Sequence, residues 1–377
     1  MSGALIDLVA KGPQDAYITG DPQVSFFRQQ YKRHSNFSQK THNLNYIGTF
    51  EGNNEVTIPI PSLGDLLSYI WIEGTGVGNI NGDQGIYSNE DSSVTEIALY
   101  IGGQQIVRLD SLYINAIHNS LYNDNHAKAS CVNLTNELTY NGQGYASGFH
   151  HYRIPFFFCD DWTKSIPLVA LQYHAVELKI KLRSGFVNSG RQFNVYANYL
   201  YLDTAEREFF VNNTHELLIN QIQYQPVDTT TAGQNNVSID LTYFNHPCKA
   251  VHLASSCTGL PLYWSSQYNF KESTLYINGT PLFEDVSNTY THNIVAEMHT
   301  GYLPPITYNN CGVHTWPFSL CLSKNQPTGT MNFSRLDTAK LVLKETTATS
   351  LNLVRVYGVN YNVLRIKQGM AGVAFSN

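Results

Sequence analysis

The feature that most constrains the fold is an internal repeat. Residues 96–106 read Glu-Ile-Ala-Leu-Tyr-Ile-Gly-Gly-Gln-Gln-Ile, and residues 272–282 read Glu-Ser-Thr-Leu-Tyr-Ile-Asn-Gly-Thr-Pro-Leu. Each is a β run, a glycine-bearing dipeptide (Gly102-Gly103 or Asn278-Gly279) and a second run. Such dipeptides supply the positive φ angles of a tight hairpin. One match of this kind is weak; its flanks make it strong. Val56-Thr-Ile matches Val237-Ser-Ile, and Tyr69-Ile-Trp-Ile matches Ala250-Val-His-Leu, both at offset 181. The Leu99 and Leu275 hairpins are offset by 176, Pro155-Phe156 and Pro317-Phe318 by 162, and Val195-Tyr196 and Val356-Tyr357 by 161. Order is kept, and the offset falls where the first half has longer loops. The chain is two copies of one β domain of about 160–180 residues.

Each half shows about eight short strands separated by Gly/Pro turns and long connections. That favours an eight-stranded, two-sheet jelly roll over an up-and-down barrel. An immunoglobulin-like sandwich needs only about 100 residues and, in antibody domains, a Cys…Trp…Cys pattern that neither half has. The expected class is all-β: two tandem jelly rolls with short helices in loops and an N-terminal arm and helix. The expected domains are 1–34, 35–208 and 209–377. Asp203-Thr-Ala-Glu206 offers a capping-box helix start at the boundary, running through Phe210.

Residues 1–20 read as an extended arm. Gly20-Asp21-Pro22 reads as a helix start, because Asp21 can cap free amides and Pro22 suits the first helical position. The helix would run to about His34, with Phe27 and Tyr31 on one face and Arg28, Lys32, Arg33 and His34 near its C-terminal end. Leu109 to Ala129 reads as a helical excursion after the first hairpin. Strands are expected at 56–60, 66–72, 152–158, 175–182 and 193–202, then at 217–225, 237–244, 248–254, 272–283, 314–322, 338–344 and 352–366.

Charge excludes one class of partner. The net charge is −6 and no Lys/Arg block exists, so a nucleic-acid surface is not expected. Cys131, Cys159, Cys248, Cys257, Cys311 and Cys321 form no CxxC pair and read as free thiols. Asp7 interrupts the apolar patch Ala4–Ala10 and no basic segment precedes it, which argues against a signal peptide. No apolar run reaches the roughly 20 residues that span a bilayer. The plain reading is a soluble protein used in a reducing compartment.

Catalytic signals are absent. There is no G-x-S-x-G, H-E-x-x-H, Walker loop or GxGxxG. His150-His151 would point to opposite faces of a strand, and no His-x-His pair supports a cupin. Asn79-Ile-Asn-Gly-Asp83 lacks the EF-hand ligand order, so the surrounding 74–94 reads as a surface loop. Asp160-Asp161 reads as a turn with solvated charges. Trp71 and Trp316 read as core, while Trp162 and Trp264 leave a sugar site open. Sequons at Asn36, Asn133, Asn212, Asn236, Asn278 and Asn332 read as chance products of an Asn-rich chain. No cofactor or metal is expected.

Five stretches in three regions of the chain carry a family resemblance. Leu8-Val-Ala-Lys-Gly-Pro-Gln-Asp-Ala-Tyr-Ile-Thr-Gly-Asp-Pro-Gln-Val-Ser-Phe-Phe27, followed by Tyr31-Lys-Arg-His-Ser-Asn-Phe37, resembles the amino-terminal signature of the major capsid proteins of nucleocytoplasmic large DNA viruses. Tyr201-Leu-Asp-Thr-Ala-Glu-Arg207 resembles the segment joining that family's two jelly rolls. Gln326-Pro-Thr-Gly-Thr-Met-Asn-Phe-Ser-Arg-Leu-Asp337 and Asn360-Tyr-Asn-Val-Leu-Arg-Ile366 resemble its carboxy-terminal signatures. The match runs end to end.

The resemblance implies a structural shell protein without enzyme activity. Three copies would form a six-lobed capsomer that tiles an icosahedral shell over an internal membrane, assembled in the host cytoplasm. Implied partners are the chain itself, neighbouring capsomers, minor capsid proteins and the underlying membrane. Loops 74–94, 109–150 and 284–312 would build parts of an outer tower. The implied signature and assembly residues are Asp21, Pro22, Phe26, Phe27, Arg33, His34, Gln326, Pro327, Gly329, Asn332, Ser334, Arg335 and Asp337. Pro327 and Gly329 read as turn residues. Arg335 and Asp337, two apart on a strand, would share a face and could pair. The chain is shorter than is usual in that family, which suits a trimmed major protein or a minor paralogue. A glycan-binding jelly-roll protein on the virion surface is the other alternative.

Overall fold

Nineteen strands, named in chain order, carry the architecture of the described residues. In the first half they are β1 (Phe37–Leu44), β2 (Glu55–Ile60), β3 (Leu66–Thr75), β4 (Val94–Ile101), β5 (Gln104–Asp110), β6 (His150–Arg153), β7 (Ile166–Pro167), β8 (Val176–Leu182) and β9 (Gln192–Leu202). In the second they are β10 (His215–Val227), β11 (Asn236–Asp240), β12 (Pro247–Cys257), β13 (Glu272–Ile277), β14 (Thr280–Ser287), β15 (Gly312–Pro317), β16 (Met331–Asn332), β17 (Ala339–Lys344), β18 (Asn352–Lys367) and β19 (Met370–Val373). The computed structural model describes residues 12–75, 94–110, 112–122, 150–182, 192–227, 236–257, 270–300, 312–346 and 352–376. Residues up to Asn36 form one unit, and those from Phe37 onward form another.

In the second unit the sheets repeat strand for strand. The first half pairs β1-β9-β3-β6 in one sheet and β2-β8-β4-β5 in the other; the second half pairs β10-β18-β12-β15 and β11-β17-β13-β14. Both are jelly-roll orders, and no sheet mixes strands of the two halves among the described residues.

Irregularities repeat as well. A register shift follows Leu99 in the first hairpin and Leu275 in the second. A bulge follows the Leu67–Tyr199 pair in one half and the Cys248–Asn360 pair in the other. The hairpin turns use φ of +58° and +80° at Gly102 and Gly103, and +49° and +80° at Asn278 and Gly279. Bulges re-aim a strand and fix its register, so their repetition marks one design used twice.

The core follows the alternation of each strand. In β18, Val354 and Val356 face the sheet partner inside the second roll, while Tyr357 and Val359 join the first roll's core. This strand is buried on both faces, which is why it reads as a near-continuous apolar run. The first roll's core therefore runs on into Ile219, Ala250 and Ala254 of the second.

Several expectations need correction. The N-terminal helix is one turn, Ala16–Thr19, and residues 20–36 are not helical. Asp21 has φ +46°, which a helix start excludes. Phe26 and Phe27 are 90% and 98% exposed, so no apolar burial offsets the cost of nucleating a helix there. The first roll's β structure begins at Phe37, ahead of the first strand expected at 56–60. After Arg153 the chain turns instead of continuing as strand to Phe158. The helical excursion is present over Tyr113–Tyr122; most of its surroundings, Asn79–Asp83, Cys131, Asn133, Trp264 and Cys311 lie outside the described residues. The boundary helix starts as read and runs past Phe210, over Thr204–Asn212, with the Asp203 side chain accepting from Glu206 N at 2.9 Å.

Candidate functional site: the seam between the two jelly rolls

The two rolls meet along β5 and the helix after it on one side, and β10, β12, β18 and β19 on the other. Asp110 ends β5 and is buried. Its Oδ2 accepts from Arg355 Nη1 at 2.5 Å and from Tyr357 Oη at 2.7 Å. Its Oδ1 accepts from Tyr113 N at 2.8 Å, which starts the helix Tyr113–Tyr122. The Arg108 and Arg355 guanidiniums lie 4.7 and 5.1 Å from the Tyr224 ring centre. Gln221 Nε2 donates to Ile106 O at 2.7 Å. Burial and the Asp110 charge push the Tyr357 hydroxyl well above its usual range, so it stays a donor.

The helix then crosses the second roll. Tyr122 Oη and His252 Nε2 are hydrogen-bonded at 2.7 Å, and His252 Nδ1 bonds Thr315 Oγ1 at 2.9 Å. Burial lowers the His252 pKa to about 3, so the imidazole is neutral near pH 7. At the far end, Ala371 N donates to His174 Nδ1 at 3.1 Å and Tyr173 N donates to Gly369 O at 3.0 Å.

A cavity of about 50 Å³ lies in this seam, lined from both halves by His118, Asp160, Asn220, Lys249 and Asn325 among others. It has the size of a water or two, far below the several hundred Å³ of a small-molecule site. His118 Nε2 sits 3.4 Å from Asp160 Oδ2, so Asp160 is not the solvated charge its sequence context suggests. Its neighbour Asp161 caps a turn through Thr163 N and accepts from Asn325. The Lys249 ammonium lies over the Tyr122 and Tyr361 rings, at 4.8 and 5.5 Å. Burial, then the Lys164 charge, lowers its pKa to about 7. Among the described residues no three His, Cys, Asp or Glu side chains converge as a metal site. What this arrangement does chemically is lock two rolls together.

The signature residues fall in two places. Asp21, Pro22, Phe26, Phe27, Arg33 and His34 lie in the N-terminal unit. The block Gln326–Asp337 instead laces the second roll's loops. Gly329 has φ +137°, and a Cβ there would lie 2.7 Å from Phe318 O. Asn332 caps a one-turn helix, Phe333–Arg335, and Ser334 Oγ accepts from His246 N at 2.8 Å. Asp337 N and Thr338 N both donate to Asn278 Oδ1, at 3.0 and 3.1 Å, which ties the block to the second hairpin turn. Residues 333–335 are thus a turn and not a strand, and no ion pair joins Arg335 to Asp337 among the described residues. Gln326 and Pro327 lie in the loop that Thr328 closes by accepting from Cys321 N. Trp316 is core, as read, while Trp71 is only half-buried and Trp162 is exposed. Asp110, Arg355, Tyr122 and His252 were not singled out by the sequence; a lone charge at a strand end has no local signature.

Comparison with known proteins places this architecture. Residues 25–244 match a family described as the major capsid protein N-terminus, and residues 206–372 match the large eukaryotic DNA virus major capsid protein. The major capsid protein of Pyramimonas orientalis virus is 31% identical over the full length of both chains, and that of Paramecium bursaria Chlorella virus 1 is 30% identical over the full length of both. The crystal structure of PBCV-1 VP54, fitted into a reconstruction of the virophage Sputnik, superposes with a TM-score of 0.78 at 26% identity, covering 94% of this chain and all of that one. The Faustovirus major capsid protein, at 10% identity and a TM-score of 0.66 over 95% of this chain and 94% of that one, shares the fold. These relatives are structural proteins and not enzymes. A twice-used jelly roll, a locked seam and sequence kinship over the whole chain agree: this chain belongs to the major capsid protein family of large eukaryotic DNA viruses.

Proposed function

We propose that the chain forms homotrimeric, six-lobed capsomers that tile the outer shell of an icosahedral virion assembled in the host cytoplasm. One observation carries the reading: two rolls of identical strand order are fixed side by side by a buried, charged seam. Threefold symmetry alone gives a threefold outline. Two similar lobes per chain turn three copies into a near-hexagonal tile. A capsid neighbour in structure, the PBCV-1 virus capsid, supports the choice of lattice.

The functional domains in this reading are an arm (1–34), a first roll (35–208) and a second roll (209–377). The arm, with its exposed Phe26 and Phe27, contacts neighbouring capsomers, minor capsid proteins or the membrane below. Loops within 74–94, 109–150 and 284–312 form parts of the tower. Light scattering paired with negative-stain imaging tests the reading. Stable trimers with six lobes and an interface of about 2,000 Å² or more are expected. A protein that stays monomeric at all concentrations overturns it.

A further inference from the structure

Among the described residues, the duplication repeats the seam's covering helix and its receiving sheet face without joining the second pair to each other. In the first half, β5 leads into the helix Tyr113–Tyr122. In the second, β14 leads into Tyr290–Ile294 and Val295–His299. The offset of 176 that aligns Leu99 with Leu275, and their partners Val107 with Phe283, puts His118 on Ile294 and Tyr122 on Met298. His118 and Tyr122 stack on each other, and Tyr122 grips His252 beneath them. Ile294 and Met298 are 42% and 71% exposed and cover nothing of the kind.

The receiving face is duplicated too. His252 pairs with Tyr357 between β12 and β18, and Trp71 pairs with Tyr196 between β3 and β9. Both His252 and Tyr357 are fully buried where the first roll's helix crosses them. Their counterparts Trp71 and Tyr196 are only half-buried and stack at 5.3 Å, with Tyr69 beside Trp71 at 5.6 Å. The second roll has a covered sheet face and, in Ile294 and Met298, an apolar helix face that covers no such sheet; the first roll has an aromatic sheet face that no counterpart helix covers among the described residues. The edge strands agree: β1 and β14 are mostly exposed, whereas β5 packs against β10.

We infer that the helix Tyr290–His299 of one copy docks on the Trp71–Tyr196 face of the next, with Ile294 and Met298 in the places that His118 and Tyr122 hold within the chain. This rests on the trimer reading above and names its interface. The occupant is a second copy because this chain itself carries, in Tyr290–His299, the counterpart of the covering helix. A thioether suits aromatic faces. The contact is head-to-tail, so it closes as a ring when the rotation allows.

The test uses the full-length protein, Met298→Asp, and a Trp71→Cys/Met298→Cys pair with each single variant as control. Wild type is expected to be trimeric. Met298→Asp, whose side chain is exposed and whose fold is checked by circular dichroism, is expected to weaken the trimer by about tenfold or more. Mild oxidation of the paired variant is expected to give covalent trimers on a non-reducing gel, and the singles none. Wild-type trimers with an unweakened Met298→Asp trimer and no cross-link overturn this interface but leave the capsomer reading standing. A monomeric wild type overturns both.

Discussion

Asp110 and Arg355, one at the end of β5 and the other inside β18, form an ion pair of 2.5 Å that joins the two jelly rolls. The Asp110 side chain is almost fully enclosed. A carboxylate in that setting is tolerable only with several donors, and it has three: Arg355, Tyr357 and the amide of Tyr113. One residue thus fixes the relative position of the lobes and the start of the helix that covers the second sheet.

Asp110→Ala should therefore be among the most damaging substitutions in the chain. It leaves Arg355 partly buried without its partner and frees the helix start. The expected cost is about 3–5 kcal/mol, read as a lowered urea midpoint. Asp110→Asn keeps the size but loses the charge, and should fall between. Asp110→Leu combined with Arg355→Met should recover part of the loss, because no lone charge remains. Equal destabilisation by the double and single variants would contradict this account.

Lys249 gives the seam a pH dependence. Its pKa falls from 10.5 to about 7 on folding, chiefly through burial. Between those values the unfolded chain holds a proton that the folded chain has released, so stability rises with pH across that window. Below about 7 both states are protonated and the penalty is present in full. Lys249→Met should raise the melting temperature most at pH 6, with a gain of about 1–4 kcal/mol. The gain should shrink steadily towards pH 10. Tyr122, Tyr361, Lys164 and Cys321 surround or couple to this amine, so the difference between wild type and variant is the quantity to read. A constant difference across pH would count against a titrating Lys249.

The two glycines of the first hairpin should respond unequally to alanine. Gly103 has φ +80° with nothing within 4 Å of a built Cβ, so only backbone strain is added, about 1–2 kcal/mol. At Gly102 a Cβ would lie 2.4 Å from His174 Nδ1, and that nitrogen accepts from Ala371 N across the seam. Gly102→Ala must therefore displace an inter-roll contact as well. Thermal melts should rank Gly102→Ala below Gly103→Ala, and Gly279→Ala, equally unobstructed, beside Gly103→Ala.

The double jelly roll was legible because its signal is distributed. Val56, Leu99 and Val195 recur as Val237, Leu275 and Val356, and each pair sits on an equivalent strand. The seam was not legible, because Asp110 and Arg355 are 245 positions apart and neither has a local pattern. The Asp21-Pro22 helix start misled for the opposite reason. Its capping chemistry is sound, but capping contributes only about 1 kcal/mol and cannot replace a buried face. The Arg335–Asp337 pair failed because Phe333 to Arg335 winds into a turn capped by Asn332.

The N-terminal unit makes a last prediction separable from the seam. β1 begins at Phe37, its partner is β9, and the described residues 12–34 form no strand. Removing residues 1–34 should leave the melting temperature and the trimer unchanged. It should abolish ordered arrays or shells seen by negative-stain imaging of concentrated protein, because Phe26, Phe27 and Tyr31 hold their rings out to solvent. Substituting Phe26 and Phe27 by serine in the full chain should reproduce the assembly defect without shortening the arm. If the truncated chain loses its trimer, the arm belongs to the capsomer itself and not to the contacts between capsomers.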